Sequence, residues 1–168
     1  GQRPITNEEI AVILPCLADR DKAILTFGLK TGFRISETIS LNLCDVIGEK
    51  RNVYYTVTVK KRNMKGKTKS RTIPLHEDAR AALSAYLGQR LAPFCGSLSQ
   101  SDLNGPLFLA GPRRIARQTF HNNLKWACRD SGISDYIRIS SHSCRKTFAS
   151  TLYQKVGRDI IKLQYLMG

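Results

Sequence analysis

Apolar positions in this chain recur mainly every three or four residues, which is the spacing of one face of an α-helix. The first such run follows Thr6-Asn7-Glu8-Glu9, a stretch with the form of a capping box. Glycine ends two of the runs, at Gly32 and Gly132, as is common at the C-terminus of a helix. The pattern predicts helices over about residues 6–17, 19–32, 35–41, 78–91, 119–130 and 141–156, and a last one from Asp159 onward, with Asp19 or Asp21 opening the second and Ser141 capping the sixth.

Strand signals occupy a smaller part of the chain. Residues 53–59 are β-branched and aromatic, and residues 71–75 supply a second strand that closes a hairpin. Pro74 favours a sheet edge, because proline cannot donate to a β-ladder. Residues 107–109 form a short strand at most, and residues 92–106 are predicted to be a loop. The predicted fold class is α+β, mostly helical with one small antiparallel hairpin, with Trp126 in the core or partly exposed against a sugar.

Charge points to the kind of partner. The 168 residues contain 27 Lys and Arg against 13 Asp and Glu, a formal net charge of +14. Such an excess indicates a polyanion, nucleic acid first and an anionic membrane surface second, although no basic amphipathic helix supports the second. No apolar run is long enough to span a bilayer. The five cysteines form no CxxC pair, which argues against a zinc site and a disulfide framework and favours buried thiols in a reducing compartment.

Candidate chemistry gathers at two helix starts. His142 and Arg145 are three residues apart and therefore lie on one face of the predicted helix. Arg34 sits at another helix start, in a corner between two helices. Guanidinium groups bind phosphate as bidentate donors, and histidine exchanges protons near neutral pH. Together with a lysine in a flexible hairpin as proton donor, these groups suit attack on a phosphodiester without metal.

Two basic clusters extend this picture. Residues 60–71 form a hairpin that carries seven cations, predicted to contact a polyanion, with a merely solvated hairpin as the alternative. The second cluster follows the short strand of residues 107–109 and consists of Arg113, Arg114 and Arg117. The predicted DNA contacts in the two clusters are Lys60, Lys61, Arg62, Lys69, Arg71, Arg113, Arg114 and Arg117. Gly66-Lys67-Thr68 is not a nucleotide-binding loop, because Lys61 stands where that motif needs glycine.

Four motifs resemble those of the tyrosine recombinases, the phage-integrase family, and they occur in that family's order. They are Thr31-Gly32-Phe33-Arg34-Ile35-Ser36-Glu37, the lysine hairpin from Lys65 to Leu75, His142-Ser143-Cys144-Arg145 with Lys146-Thr147-Phe148-Ala149-Ser150, and the stretch from Gly157 through Leu166-Met167-Gly168. The resemblance implies a tyrosine-recombinase catalytic fold. It also implies a domain that breaks DNA through a 3′-phosphotyrosine and rejoins it without metal, cofactor or ATP.

The resemblance also implies roles for individual residues. Arg34 and Arg145 hold the scissile phosphate, and His142 assists proton transfer at the tyrosine. Lys65 or Lys67 protonates the 5′-oxygen, with Lys65 preferred because it ends the strand.

Glu37 orients Arg34. Cys144 replaces a larger apolar residue of the family, a change that packing tolerates.

The resemblance implies that residues 1–168 are the catalytic domain alone, with the core-binding domain and the tyrosine segment absent. Tyr153 and Tyr165 are interpreted as packing residues, so this chain is expected to bind double-stranded DNA, with modest and salt-sensitive affinity, without cleaving it. It is expected to be a cytoplasmic, nucleoid-associated monomer away from membranes, and the full-length protein a tetramer on paired sites. The alternatives are a non-catalytic DNA-binding protein of the same fold and a relative of type IB topoisomerases. Integrase, resolvase and transposon roles, and hence a mobile element, stay open.

Overall fold

The computed structural model describes residues 1–60 and 70–167 of the chain. It confirms the predicted class, a mostly helical α+β fold with small antiparallel sheets. The elements in chain order are α1 Asn7–Ile13, α2 Asp19–Thr31, α3 Ile35–Ile39, β1 Thr56–Val59, β2 Arg71–Pro74, α4 Glu77–Arg90, α5 Gln100–Leu103, β3 Leu109–Ala110, β4 Arg113–Arg114, α6 Arg117–Asp130, α7 Ser141–Lys155 and α8 Ile160–Met167.

Helix α2 is the central element of the core. Nine of its thirteen residues are buried, and it packs against α4 on one side and α7 on the other. Gly28 permits the close approach to α7, because a Cβ added there would lie 3.2 Å from the Cβ of Cys144. Residues of both helices belong to one continuous hydrophobic cluster. The helix that ends just before Arg34 is therefore fixed against the helix that carries His142 and Arg145.

Strands β1 and β2 form the predicted hairpin, with Val57 opposite Ile73 and Val59 opposite Arg71. The first strand is shorter than the predicted 53–59. Val53 does not pair with β2 and forms an isolated antiparallel bridge with Ile47 instead. Strand β2 begins at Arg71, as predicted, and Ser70 separates it from residues 61–69, which lie outside the described part of the chain.

Three other boundaries differ from the prediction. Helix α1 stops at Ile13 and a 3₁₀ turn follows, because Pro15 has no amide hydrogen to continue the helix. Ser140, not Ser141, caps α7. The predicted loop 92–106 contains the short helix α5, whose capping box of Ser99 and Asp102 was present in the sequence as a signal.

Side-chain placement also departs from the prediction in places. Trp126 is 57% exposed rather than part of the core, because α6 buries the opposite face that carries Phe120, Leu124 and Ala127. All five cysteines are free, but only two are buried and Cys95 is exposed. Of the helices in the two described ranges, none has the length and apolarity that a bilayer crossing requires.

Candidate active site

Arg34 is placed by the turn between α2 and α3. Helix α2 ends at Gly32, whose φ of +65° is the left-handed conformation that reverses the chain, and Phe33 then enters the core. The Arg34 amide donates to Glu37 Oε2 at 2.7 Å and its Nη1 donates to Oε1 at 3.0 Å. The Glu37 side chain is 1% exposed and that of Arg34 is 37% exposed. The buried carboxylate therefore orients a guanidinium that still reaches solvent.

His142 and Arg145 are placed by the start of α7. Ser140 caps this helix and accepts a hydrogen bond from the His142 amide at 3.2 Å. One turn later the half-buried Arg145 donates from Nη1 to the Gly32 carbonyl at 2.5 Å. Arg145 therefore reaches the turn that presents Arg34. His142 remains exposed on the same helical face.

The guanidinium groups in this corner influence one another. Burial lowers the pKa of Arg145, and the nearby charges of Arg34 and Arg71 lower it further while Glu37 opposes them. Burial likewise lowers the pKa of Arg71. Among the described residues, three guanidinium groups thus interact electrostatically with the buried carboxylate of Glu37. An excess of positive charge in a partly desolvated corner favours an anion, and guanidinium geometry favours a phosphate.

His142 borders two cavities. One, of about 520 Å³, is lined by Arg145, Lys146 and Met167 as well as His142. The other, of about 290 Å³, is lined by Arg117 and His121 from the first turns of α6. The predicted DNA contact Arg117 is exposed. Because it lines the same cavity as His142, it lies beside the candidate site rather than on a separate surface.

Other predicted residues have different positions. Lys60 is exposed and its Nζ lies 3.6 Å from Asp45 Oδ1. Arg113 is exposed on β4. The predicted catalytic lysines Lys65 and Lys67, and the predicted DNA contacts Lys61, Arg62 and Lys69, lie outside the described residues.

Arg114 has a structural role that sequence pattern did not indicate. Its guanidinium donates to the carbonyls of Ile39 and Leu41 and to Asn42 Oδ1, at 2.6, 2.8 and 2.6 Å. Burial lowers its pKa. The predicted DNA contact at Arg114 therefore competes with three hydrogen bonds inside the fold.

Sequence reasoning missed His121 near the site, and it missed the position of Arg71. His121 borders the same cavity as His142, and its pKa is lowered by burial and by Lys125 and Arg117. Its spacing of four residues from Arg117 was a usable signal, since such residues share a helical face. Arg71 was predicted as a hairpin contact with DNA, and no local pattern indicated its place beside Arg145.

Comparison with known proteins finds relatives in both sequence and fold. The phage integrase family model matches residues 3–168. The tyrosine recombinase XerD of Mycobacterium leprae is 33% identical over 160 residues, a match that covers 89% of this chain and 44% of that protein. The chain thus spans about half the length of the curated relatives it matches.

Solved structures share the fold. The crystal structure of XerA recombinase superimposes with a TM-score of 0.72 at 22% identity, covering 98% of this chain and 54% of that one. A XerH site-specific recombinase bound to its difH substrate in a pre-cleavage complex gives a TM-score of 0.68 at 20% identity, covering 98% of this chain and 47% of that one. At this identity the agreement establishes the architecture.

Proposed function

Because this chain belongs to the phage integrase family, we propose that it is the catalytic domain of a site-specific DNA recombinase or integrase. The proposed reaction attacks a DNA phosphodiester with a tyrosine hydroxyl, forms a 3′-phosphotyrosine and releases a 5′-hydroxyl. In rejoining, the 5′-hydroxyl of a second strand attacks the phosphotyrosine and releases the tyrosine hydroxyl. Each step replaces one phosphodiester bond by another, so the reaction needs no ATP. The match to tyrosine recombinases over most of the chain supports this activity.

One observation supports the proposal most strongly: Arg145 hydrogen bonds to the Gly32 carbonyl of the turn that presents Arg34, while His142 remains exposed one helical turn away. Two fixed guanidinium groups suit the non-bridging oxygens of a phosphate that becomes more negative in the transition state. Their partial burial strengthens this stabilisation, because electrostatic interactions are less screened away from water.

The roles proposed for individual residues rest on these positions and on family membership, with Lys65 and Lys67 outside the described residues. Arg34 and Arg145 bind the scissile phosphate, Glu37 orients Arg34, and His142 assists proton transfer at the tyrosine. Lys65 or Lys67 donates the proton to the leaving 5′-oxygen, with Lys65 preferred. The tyrosine is proposed to follow the Leu166-Met167-Gly168 stretch in the complete gene product, and Tyr153 is proposed to serve in packing. The side chain of Tyr165, which was also predicted to pack, lies outside the described part of the chain.

The proposed partner is double-stranded DNA. The net charge of +14 supports it, as does the XerH structure, which contains that recombinase's own DNA substrate. Lys60, Arg113 and Arg117 are exposed and available to contact phosphates. We propose a monomer in solution and a tetramer of the full-length protein on paired DNA sites, acting in the cytoplasm at the nucleoid.

Covalent trapping tests the proposed activity. The complete gene product is first used to select a bound duplex from randomised DNA, and the selected duplex is then nicked to trap the intermediate. We expect an adduct that survives denaturing electrophoresis, and R145A should form it at least about 100-fold more slowly, as for loss of a transition-state donor. R129A, at an exposed arginine near the end of α6, is the matched control and should react like wild type.

The outcomes separate the alternatives. Tight binding of the selected duplex without any adduct would contradict the recombinase and support a non-catalytic DNA-binding protein. Relaxation of supercoiled plasmid that lacks the selected site would instead support a topoisomerase. An equal rate for R145A and wild type would remove Arg145 from the mechanism.

A further inference from the structure

Arg71 connects three separate parts of the candidate site. Its Nη1 donates to the Met167 carbonyl at the end of α8, at 3.0 Å, and its Nη2 donates to the Thr31 carbonyl at the end of α2, at 3.4 Å. Its guanidinium carbon also lies 5.2 Å from the centroid of the Phe33 ring, in a cation–π arrangement. A single side chain thus contacts the end of α8 and the turn that leads to Arg34.

Arg145 makes a parallel set of contacts. Its Nη2 donates to the same Met167 carbonyl at 3.1 Å, and its Nη1 donates to the Gly32 carbonyl, which is next to the Thr31 carbonyl held by Arg71. The two guanidinium groups therefore share one acceptor and hold consecutive peptide carbonyls. Displacement of either arginine would change the contacts of the other.

The charge of Arg71 interacts with the charges of Arg34, Glu37 and Arg145. Burial and the charge of Arg34 lower the pKa of Arg71, and Glu37 raises it. The pKa of Arg145 is lowered in turn by the charge of Arg71. A third cation placed beside two others is unfavourable unless its hydrogen bonds and a bound anion offset the repulsion.

We propose that Arg71 is a positioning residue for the phosphate site, acting through Arg145 and through the turn that presents Arg34. This inference rests on the proposed recombinase function. It assigns Arg71 a role different from the hairpin DNA contact that its basic neighbours suggest. Arg71 is the first residue of β2, so it joins this strand to the end of α8 and to the turn that presents Arg34.

Single-turnover cleavage distinguishes a positioning role from a DNA contact. The complete gene product and its R71A, R71K, R145A and R129A variants are mixed with saturating selected duplex, and adduct formation, duplex Kd and Tm are measured. We expect R71A to react about 100-fold more slowly at saturating DNA, the cost of a small misplacement of reacting groups. Its Kd should stay near wild type, and ethylguanidinium should restore part of the rate, because the small cation can occupy the vacated position.

The other variants keep the inference falsifiable. R71K retains the charge, but a lysine ammonium cannot donate to the Met167 and Thr31 carbonyls at the same time as a planar guanidinium does. R71K should therefore react at an intermediate rate, with a wild-type Tm. If R71A does not fold, a wild-type rate for R71K would overturn the inference.

A rate defect in R71A that disappears at saturating DNA would also overturn it. A salt dependence of binding reduced by about one phosphate contact would then mark Arg71 as a DNA contact. If R145A loses cleavage and R71A does not, only this inference fails. If the wild-type protein forms no adduct, the proposed function fails first.

Discussion

At the scale of single residues, the negative charge of Glu37 compensates the positive charges of the candidate site. It is the buried acid that faces the guanidinium groups of Arg34, Arg71 and Arg145, and it hydrogen bonds to Arg34 through both carboxylate oxygens. A buried carboxylate is costly unless it is paired and hydrogen bonded, and Glu37 meets both conditions. Its charge keeps a cluster of cations compatible with the folded state.

The variant E37Q should therefore be less stable. The amide keeps the shape of the carboxylate but loses its charge and one acceptor, which leaves the cations uncompensated. We expect the free energy of unfolding to fall by about 2 kcal/mol in urea titrations of this chain. E49Q, at an exposed acid, is the control and should match wild type. Equal midpoints for E37Q and wild type would show that Glu37 does not stabilise the corner.

Neighbouring Arg113 and Arg114 offer a second comparison at this scale. R114A removes a guanidinium with three internal acceptors, so we expect the free energy of unfolding to fall by about 2–4 kcal/mol with little change in DNA affinity. R113A, at an exposed position, should weaken binding to duplex DNA and leave the urea midpoint unchanged. The opposite result for the pair would assign the DNA contact to Arg114.

At the scale of elements, the site depends on the packing of α7 against the end of α2. Gly32 lies at this junction, with φ of +65° and its carbonyl bound to Arg145. A Cβ added to Gly32 would lie 2.3 Å from Cδ1 of Phe148 on α7. Both the backbone conformation and the space available therefore disfavour a side chain at this position.

The variant G32A tests this junction. The left-handed conformation and the clash with Phe148 should together lower the free energy of unfolding by about 3 kcal/mol. G132A is the matched control, because Gly132 has φ of +76° but open space around its Cβ position. It should lose only about 1 kcal/mol, the conformational cost alone. Equal losses for the two variants in urea titrations would mean that the α2–α7 contact adapts without cost.

At the scale of the whole molecule, the charge excess should control binding to nucleic acid. The formal net charge is +14, and Arg113 and Arg117 are exposed, with Arg117 lining the cavity beside His142. We expect such a surface to bind duplex DNA mainly by releasing condensed counterions. Arg117 and Lys146 are exposed cations that line the two cavities beside His142.

Salt titration measures this effect. With about six phosphate contacts, affinity for a random-sequence duplex should fall by about 1,000-fold between 50 and 200 mM salt. Fluorescence anisotropy with a labelled duplex gives the slope of log K against log salt. An affinity independent of salt would contradict binding through the phosphate backbone.

The amino-acid sequence by itself determined the features that depend on near neighbours. Helical period placed His142 and Arg145 on one face, and a spacing of three residues brought Glu37 to Arg34. The order of helices and the β1–β2 hairpin likewise followed from local patterns of apolar and β-branched residues.

Only the tertiary structure decided which distant groups meet. The bond from Arg145 to the Gly32 carbonyl joins residues 113 positions apart, and those of Arg71 and Arg114 also cross between elements. The sequence assigned Arg71, Arg113 and Arg114 alike to DNA, because local pattern records charge but not the acceptors within reach. Trp126 shows the same limit, since which face of α6 is covered depends on how the other elements pack.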